Sequence, residues 1–404
     1  MIYLSPNMKL LRTPCLKLNI DSNSQIRISI EGKTFIFGSH ALALLDVFSQ
    51  PHSLSEVLEN LQTRINGVQD WMDLMSTIIH LYEAGVLQDE AKNKPALKTD
   101  SFGYDSAPIH VAMLNDRVRT SSFLAGIYEV VHPGDVVIDI GTGTGVLAIA
   151  AARAGARHVY AVEASSIGKL AKAIFEANKL ADRITLIEGW STHINLPELG
   201  DVLISEMIGN EPLAENVLEI TIDATKRLLK PEGRLVPNKV KIFGLPVSIP
   251  HTELMKHTFI TDTLKNWQSW YDIDFNPLGK VIQNFPHTFF INSFLARDWK
   301  TLSEPILLAE INFKDFNKMV IDNTATVNSN ASGQLDGLLE YFELELSPTT
   351  SISTHPAKVD INNHWRSPVW VFIPPLLVDT GNQFTVTYKY RKTEDHTKVS
   401  VSRL

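Results

Sequence analysis

Three glutamates, Glu206, Glu211 and Glu215, fall within ten residues around a glycine, Gly209. They follow the apolar run Asp201-Val202-Leu203-Ile204, which predicts a buried strand. Open α/β sheets bind ligands beyond the C-terminal ends of their strands, so these acids stand where a ligand would sit. The bland alternative is an ordinary loop of solvated carboxylates. Upstream, residues Val136 to Glu163 read VVIDIGTGTGVLAIAAARAGARHVYAVE. A short apolar run leads into glycine at every second position, Gly141, Gly143 and Gly145. Good helix formers then run to Arg153. A second apolar run, His158 to Val162, ends on Glu163. This strand–loop–helix–strand unit suits a nucleoside. Glycines let the backbone approach a ligand closely, and an acid at the second strand's tip accepts hydrogen bonds from both ribose hydroxyls. The dinucleotide fingerprint is G-x-G-x-x-G; here the third glycine comes one residue early, behind Asp139. A glycine-rich turn of an NAD-binding fold is the alternative.

The G-x-G-x-G run behind Asp139 resembles motif I of the class I S-adenosylmethionine (SAM) methyltransferases. The segment Met113-Leu114-Asn115-Asp116-Arg117-Val118-Arg119-Thr120 narrows the resemblance, because it matches each fixed position of the Met-Leu-x-Asp-x-Val-Arg-Thr motif of protein arginine methyltransferases. The resemblance implies SAM as cofactor and places Tyr104, Arg119, Asp139, Gly141, Gly143, Gly145 and Glu163 around it. Arg119 corresponds to the arginine that pairs with the SAM carboxylate, a task suited to a planar fork of donors. Tyr104 falls on the second tyrosine of the family's Tyr-Phe-x-x-Tyr element, whose first two positions are Asp100 and Ser101 here. Ser205 to Glu215 resembles the family's double-glutamate loop, with Glu206 and Glu215 at its nine-residue spacing and Glu211 as an extra acid. Asn363-His364-Trp365-Arg366 resembles the Thr-His-Trp loop, and in the family His364 would pair with Asp116. After the third strand, Ile184 to Ile187, no acid stands where the family contacts adenine.

A 404-residue chain should hold two or three domains to carry these residues. Residues 1–95 are expected to form a small winged-helix-like domain. The alternating Ile26, Ile28 and Ile30 and the run Thr34–Phe37 predict a hairpin. Helices are expected over Ala41–Phe48, Leu54–Ile65 with Ser53 as N-cap, and Val68–Tyr82. This pattern resembles the PqqD-like leader-peptide recognition domains, which imply an extended peptide bound along a strand edge. The polar stretch 89–101 reads as a linker. Residues 96–236 are then expected, from the resemblance, to form the Rossmann-like SAM-binding α/β domain. Residues 237–404 are expected to form an antiparallel β-barrel in which helices largely vanish, with His251–Lys280 where the family inserts its dimerisation arm.

Net charge of −8 argues against nucleic acid as the main partner. The single cysteine, Cys15, excludes an internal disulfide and fits a cytoplasmic setting. The first residues carry no apolar stretch suited to a signal peptide or membrane span, and the histidines show no metal-ligand spacing, so no metal is expected. The combined reading is a SAM-dependent methyltransferase acting on arginine in a peptide or protein, as a homodimer. If the first domain takes a leader peptide, the substrate is a ribosomally made precursor. Two alternatives stay open: a different methyl acceptor, and a peptide-binding scaffold with vestigial catalysis.

Overall fold

The computed structural model describes residues 8–13, 16–20, 25–30, 33–38, 40–61, 67–89, 107–281, 287–391 and 397–404. Tyr104 and nearly all of the expected linker lie outside the described residues. Two compact units meet in the sequence between Lys98 and Thr99.

In the first unit, β1 (Lys9–Arg12) forms one sheet with two short strands, and β2 (Lys17–Ile20), β3 (Ile26–Ile30) and β4 (Lys33–Phe37) form another. The expected hairpin is β3 with β4, paired antiparallel. Next come α1 (His40–Val47), β5 (His52–Ser53), α2 (Leu54–Leu61), α3 (Gly67–Glu83) and β6 (Leu87–Asp89). Ser53 and Glu56 make a reciprocal capping box that starts α2: Ser53 N donates to Glu56 Oε2 at 2.7 Å, and Glu56 N to Ser53 Oγ at 3.3 Å. Leu74, Ile78 and Leu81 of α3 pack against Leu10, Ile28, Leu44 and Phe48. Trp71, expected on that buried stripe, is exposed.

The second unit opens with α4 (Ala107–Asn115) and α5 (Arg117–Val130). An alternating series follows: β7 (Val136–Ile140), α6 (Val146–Arg153), β8 (His158–Glu163), α7 (Gly168–Ala177), β9 (Ile184–Glu188), β10 (Gly200–Ser205), α8 (Val217–Arg227) and β11 (Leu229–Val236). The five strands form one parallel sheet in the order β11-β10-β7-β8-β9. All five residues of β7 are buried, as a strand covered on both faces requires.

Antiparallel structure follows. It comprises β12 (Lys239–Ser248), β13 (His287–Ile291), β14 (Lys300–Thr301), β15 (Ile306–Asn312), β16 (Val320–Asn328), β17 (Gly333–Glu345), β18 (Ser351–Ser353), β19 (Ser367–Val378), β20 (Gln383–Arg391) and β21 (Lys398–Arg403). Seven of these strands make a sheet around β12, β17 and β19, while β16, β20 and β21 make a second. One apolar core runs without a break from Val137 and Ile204 of the parallel sheet to Phe342, Leu344 and Phe384 of the barrel. The expectation that helices largely vanish past Pro237 is corrected by α9 (His251–His257), α10 (Thr261–Tyr271) and α11 (Asn276–Val281). Their apolar residues do not alternate, Pro250 precedes the first, and Asp272 at φ 53° ends the second. Among the described residues no helix is long and apolar enough to cross a membrane.

Candidate functional site

The glycine loop turns between β7 and α6, and all three glycines have positive φ. At Gly145 a Cβ would stand 2.2 Å from the Phe175 ring, so a side chain there would collide. At Gly143 it would meet the His110 ring at 3.3 Å. Gly143 N donates to Glu163 Oε2 at 2.8 Å, and Ser165 N to Glu163 Oε1 at 2.9 Å. The tip of β8 is thereby locked to the loop, while each carboxylate oxygen keeps acceptor capacity. Asp139 is buried in β7: Oδ2 accepts from Thr142 Oγ1 at 2.6 Å, and Oδ1 has no partner. Burial pushes its carboxyl up to about 7, with Glu163 adding to the rise.

Asp116 separates α4 from α5 and caps the latter, accepting from Arg119 N at 3.0 Å. Its second oxygen meets His364 twice, backbone N and ring Nδ1 both at 3.0 Å, although 248 residues separate them. Burial raises the Asp116 carboxyl, but the hydrogen bonds from His364 and Arg119 outweigh it and hold it below the usual value. Burial, helped by Arg119, lowers the His364 imidazole against the pull of Asp116. His364 is therefore neutral near pH 7, and the carboxylate favours the tautomer with its proton on Nδ1.

Arg119 sits where these pieces meet. Its guanidinium pairs with Glu206 at the end of β10, with both side chains under a tenth exposed. It also donates to Met113 O at 3.3 Å and lies 5.6 Å from the Trp365 ring centroid. Its Nε is buried without a partner. The family resemblance sets Arg119 against the cofactor carboxylate; here it is gripped by Glu206 of the double-glutamate loop. Glu215 folds back over Gly209, where a Cβ would come 2.7 Å from Glu215 Oε1. Glu211 turns toward the barrel and accepts from Thr397 Oγ1.

The His364 loop is stapled to the glutamate loop. Trp365 Nε1 donates to Ile208 O at 2.7 Å, and Arg366 N to Asn210 Oδ1 at 2.7 Å. The structure thus brings together Asp116, Arg119, Glu206 and His364, and separately Asp139, the glycines and Glu163. His110 had no role in the sequence reading, although it lies in the run before the matched octapeptide; its burial beside Gly143 singles it out. Among the described residues no cluster of three or more His, Cys, Asp or Glu could hold a metal ion.

Comparison with known proteins gives a consistent pattern. Residues 119–238 match the family described as Ribosomal protein L11 methyltransferase (PrmA), and residues 251–402 match the Arginine methyltransferase oligomerization subdomain. Protein arginine N-methyltransferase PRMT10 of Oryza sativa subsp. japonica is 30% identical over 317 residues, covering 70% of this chain and 81% of that protein. Protein arginine N-methyltransferase 1 of Schizosaccharomyces pombe is 30% identical over 296 residues, covering 71% and 83%. Among solved structures, the Trypanosoma brucei PRMT1 enzyme-prozyme heterotetrameric complex with AdoHcy aligns with a TM-score of 0.63 at 22% identity, covering 74% of this chain and 99% of that one. Arabidopsis thaliana protein arginine methyltransferase 10 aligns at 0.59 and 23%, covering 76% and 99%. These two likenesses speak to fold alone.

Proposed function

The chain belongs to the protein arginine N-methyltransferases, and on that premise we propose that it methylates arginine side chains of a protein or peptide from SAM at the site built by Asp116, Arg119, Glu206, Glu215 and His364. The observation that carries this reading is that Glu206 already holds a guanidinium, that of Arg119, in a nearly dry pocket. The residues present fit SAM. Asp139 Oδ1 and Arg119 Nε are buried polar atoms without partners, an acceptor matching an ammonium and a donor matching a carboxylate. Glu163 keeps a lone pair on each oxygen for a ribose hydroxyl, the backbones of Gly141, Gly143 and Gly145 allow close approach, and Tyr104 joins them through its family motif. When bound, SAM supplies an electrophilic methyl on a sulfonium.

The chain's own residues prepare the acceptor. A guanidinium is a poor nucleophile because its lone pairs are delocalised and its pKa lies above roughly 12. Glu206 and Glu215 fix its orientation and draw positive charge toward one nitrogen, leaving another more nucleophilic. They also offset the cost of bringing a second cation beside a sulfonium; opposite charges at ~4 Å attract by about 4 kcal/mol at an effective dielectric near 20. His364, neutral and oriented by Asp116, accepts the proton that the methylated nitrogen gives up. Transfer of radiolabel from SAM to arginine peptides tests the reading. Label that persists after every arginine is replaced would overturn it.

A second, finer reading concerns the first unit. Leu18 and Ile20 of β2 lie opposite Ile28 and Ile26 of β3, so they share that strand's buried face, yet both are exposed. An apolar edge strand of this kind supports a PqqD-like, winged-helix-type domain that adds an extended leader peptide as a further strand. Deleting residues 1–95 would then raise KM for a full precursor and leave a bare core peptide nearly unchanged; an equal effect on both would count against it. Exposed Trp270 and Tyr271 on the 251–281 segment support a homodimer, and the lone cysteine supports a cytoplasmic setting.

A further inference from the structure

Glu215 is delivered by a tight turn. Glu211, Pro212, Leu213 and Ala214 close it, with Ala214 N donating to Glu211 O at 3.1 Å. Proline in the second place presets the backbone for such a turn. Glu215 is the next residue, and its carboxylate lies against Gly209. Whatever holds the turn therefore holds this carboxylate. The barrel holds it at two points. The hydroxyl of Thr397, which directly precedes β21, donates to Glu211 Oε1. Tyr390 Oη of β20 donates to Leu213 O at 3.2 Å. The two donors come from paired strands of one sheet, or from the residue leading into one. Thr397, Tyr390 and Leu213 are all buried. A buried hydroxyl without an acceptor is destabilising, and here both hydroxyls find theirs on the turn. The His364 loop meets the glutamate loop upstream of the turn, at Ile208 and Asn210.

We propose that Glu211 is a positioning residue and not a third carboxylate for the acceptor: with Thr397 and Tyr390 it fastens the turn that sets Glu215 in the acceptor site. This role deepens the arginine-methylation reading and rests on it, because Glu215 matters here as an acceptor contact. A carboxylate accepts a hydrogen bond about twice as strongly as a neutral group, which suits an acid to the anchoring place. Engaged with Thr397, it faces the barrel and leaves the acceptor to Glu206 and Glu215. The cofactor cradle is built elsewhere, from the glycine loop, Glu163 and Arg119. Loosening the turn therefore weakens the hold on the acceptor and leaves cofactor binding as it is.

The test uses the full chain with Thr397→Val, Thr397→Ser, Glu211→Gln and Tyr390→Phe. Both kcat and KM for an arginine peptide are measured, beside S-adenosylhomocysteine affinity by calorimetry. Thr397→Val keeps the shape and loses the donor, so it should lower kcat/KM about tenfold with cofactor affinity within about twofold. Thr397→Ser keeps the hydroxyl, and Glu211→Gln keeps an accepting oxygen, so each should lose less than Thr397→Val does. Added to Glu211→Ala, Thr397→Val should cost nothing further, because both remove one contact. Tyr390→Phe should lower kcat/KM about threefold or more through the other anchor. Wild-type kcat/KM in Thr397→Val would overturn the proposal. So would a greater loss in Glu211→Gln than in Thr397→Val, the result expected if Glu211 met the acceptor directly. Should Thr397→Val fail to fold, Tyr390→Phe decides, and wild-type values there would overturn it. A wild-type chain that binds S-adenosylhomocysteine yet labels no arginine peptide would sink the functional reading and this role with it; labelling that Thr397→Val leaves intact would sink this role alone.

Discussion

Replacing Glu206 by glutamine tests whether one carboxylate serves the acceptor or the cofactor cradle. Its partner in the structure is Arg119, with side-chain exposures of 8% and 9%. Removing one member of a buried ion pair costs about 3–5 kcal/mol, and glutamine keeps one oxygen for the guanidinium, so the lower end, about 3 kcal/mol, applies. Each kcal/mol moves the midpoint by about 2–4 °C in domains of 150–250 residues, giving a fall of roughly 6–12 °C in the free variant. S-adenosylhomocysteine brings a carboxylate to the abandoned Arg119, so its stabilising shift should be larger in the variant than in the wild type. Turnover behaves differently. Losing a carboxylate–guanidinium attraction of about 4 kcal/mol at the acceptor corresponds to about a thousandfold in kcat/KM. Thermal melting with and without the product, beside radiolabel transfer, reads both effects. A variant that retains a tenth of wild-type activity, or binds the product a hundredfold more weakly, would refute the assignment and move Glu206 into the cofactor shell.

Cofactor binding should release protons near neutral pH. Burial holds the Asp139 carboxyl up at about 7, and positive charge beside its unpartnered oxygen favours the ionised form. Calorimetry at pH 7 in buffers of different ionisation enthalpy should therefore register up to about half a proton released per SAM bound, and Asp139→Asn should abolish it; proton uptake would contradict this account. At the edge of α5, Glu129 accepts from Ser347, Thr349 and Thr350, which together hold its carboxyl down to about 2. Its folded pKa is depressed, so its contribution is present above the ordinary value of 4.5 and fades as pH falls through about 2. Glu129→Gln should flatten the loss of stability on acidification over that window, measured by denaturant titration at stepped pH; an unchanged slope would show that the three hydroxyls give the carboxylate no preference.

What the sequence determined was local. The run from Val136 to Glu163 encodes a strand, a glycine turn, a helix and a strand within thirty residues, so glycine spacing and the terminal acid suffice to outline the nucleoside half of the site. The acids at 206, 211 and 215 were visible for the same reason: they follow directly on a strand, and open α/β sheets bind ligands beyond the C-terminal ends of their strands. Directions and distant partners were decided only by the tertiary structure. No pattern along the chain sends Glu211 toward Thr397 or points Arg119 at Glu206, because these contacts join elements whose neighbourhood depends on strand order and barrel closure. The pairing of Asp116 with His364 came into the sequence reading through family likeness, since nothing local joins residues 248 positions apart. Buried polar groups make the folded arrangement selective: each must find a partner or shift its charge, and which partner is present is settled when the barrel packs on the parallel sheet.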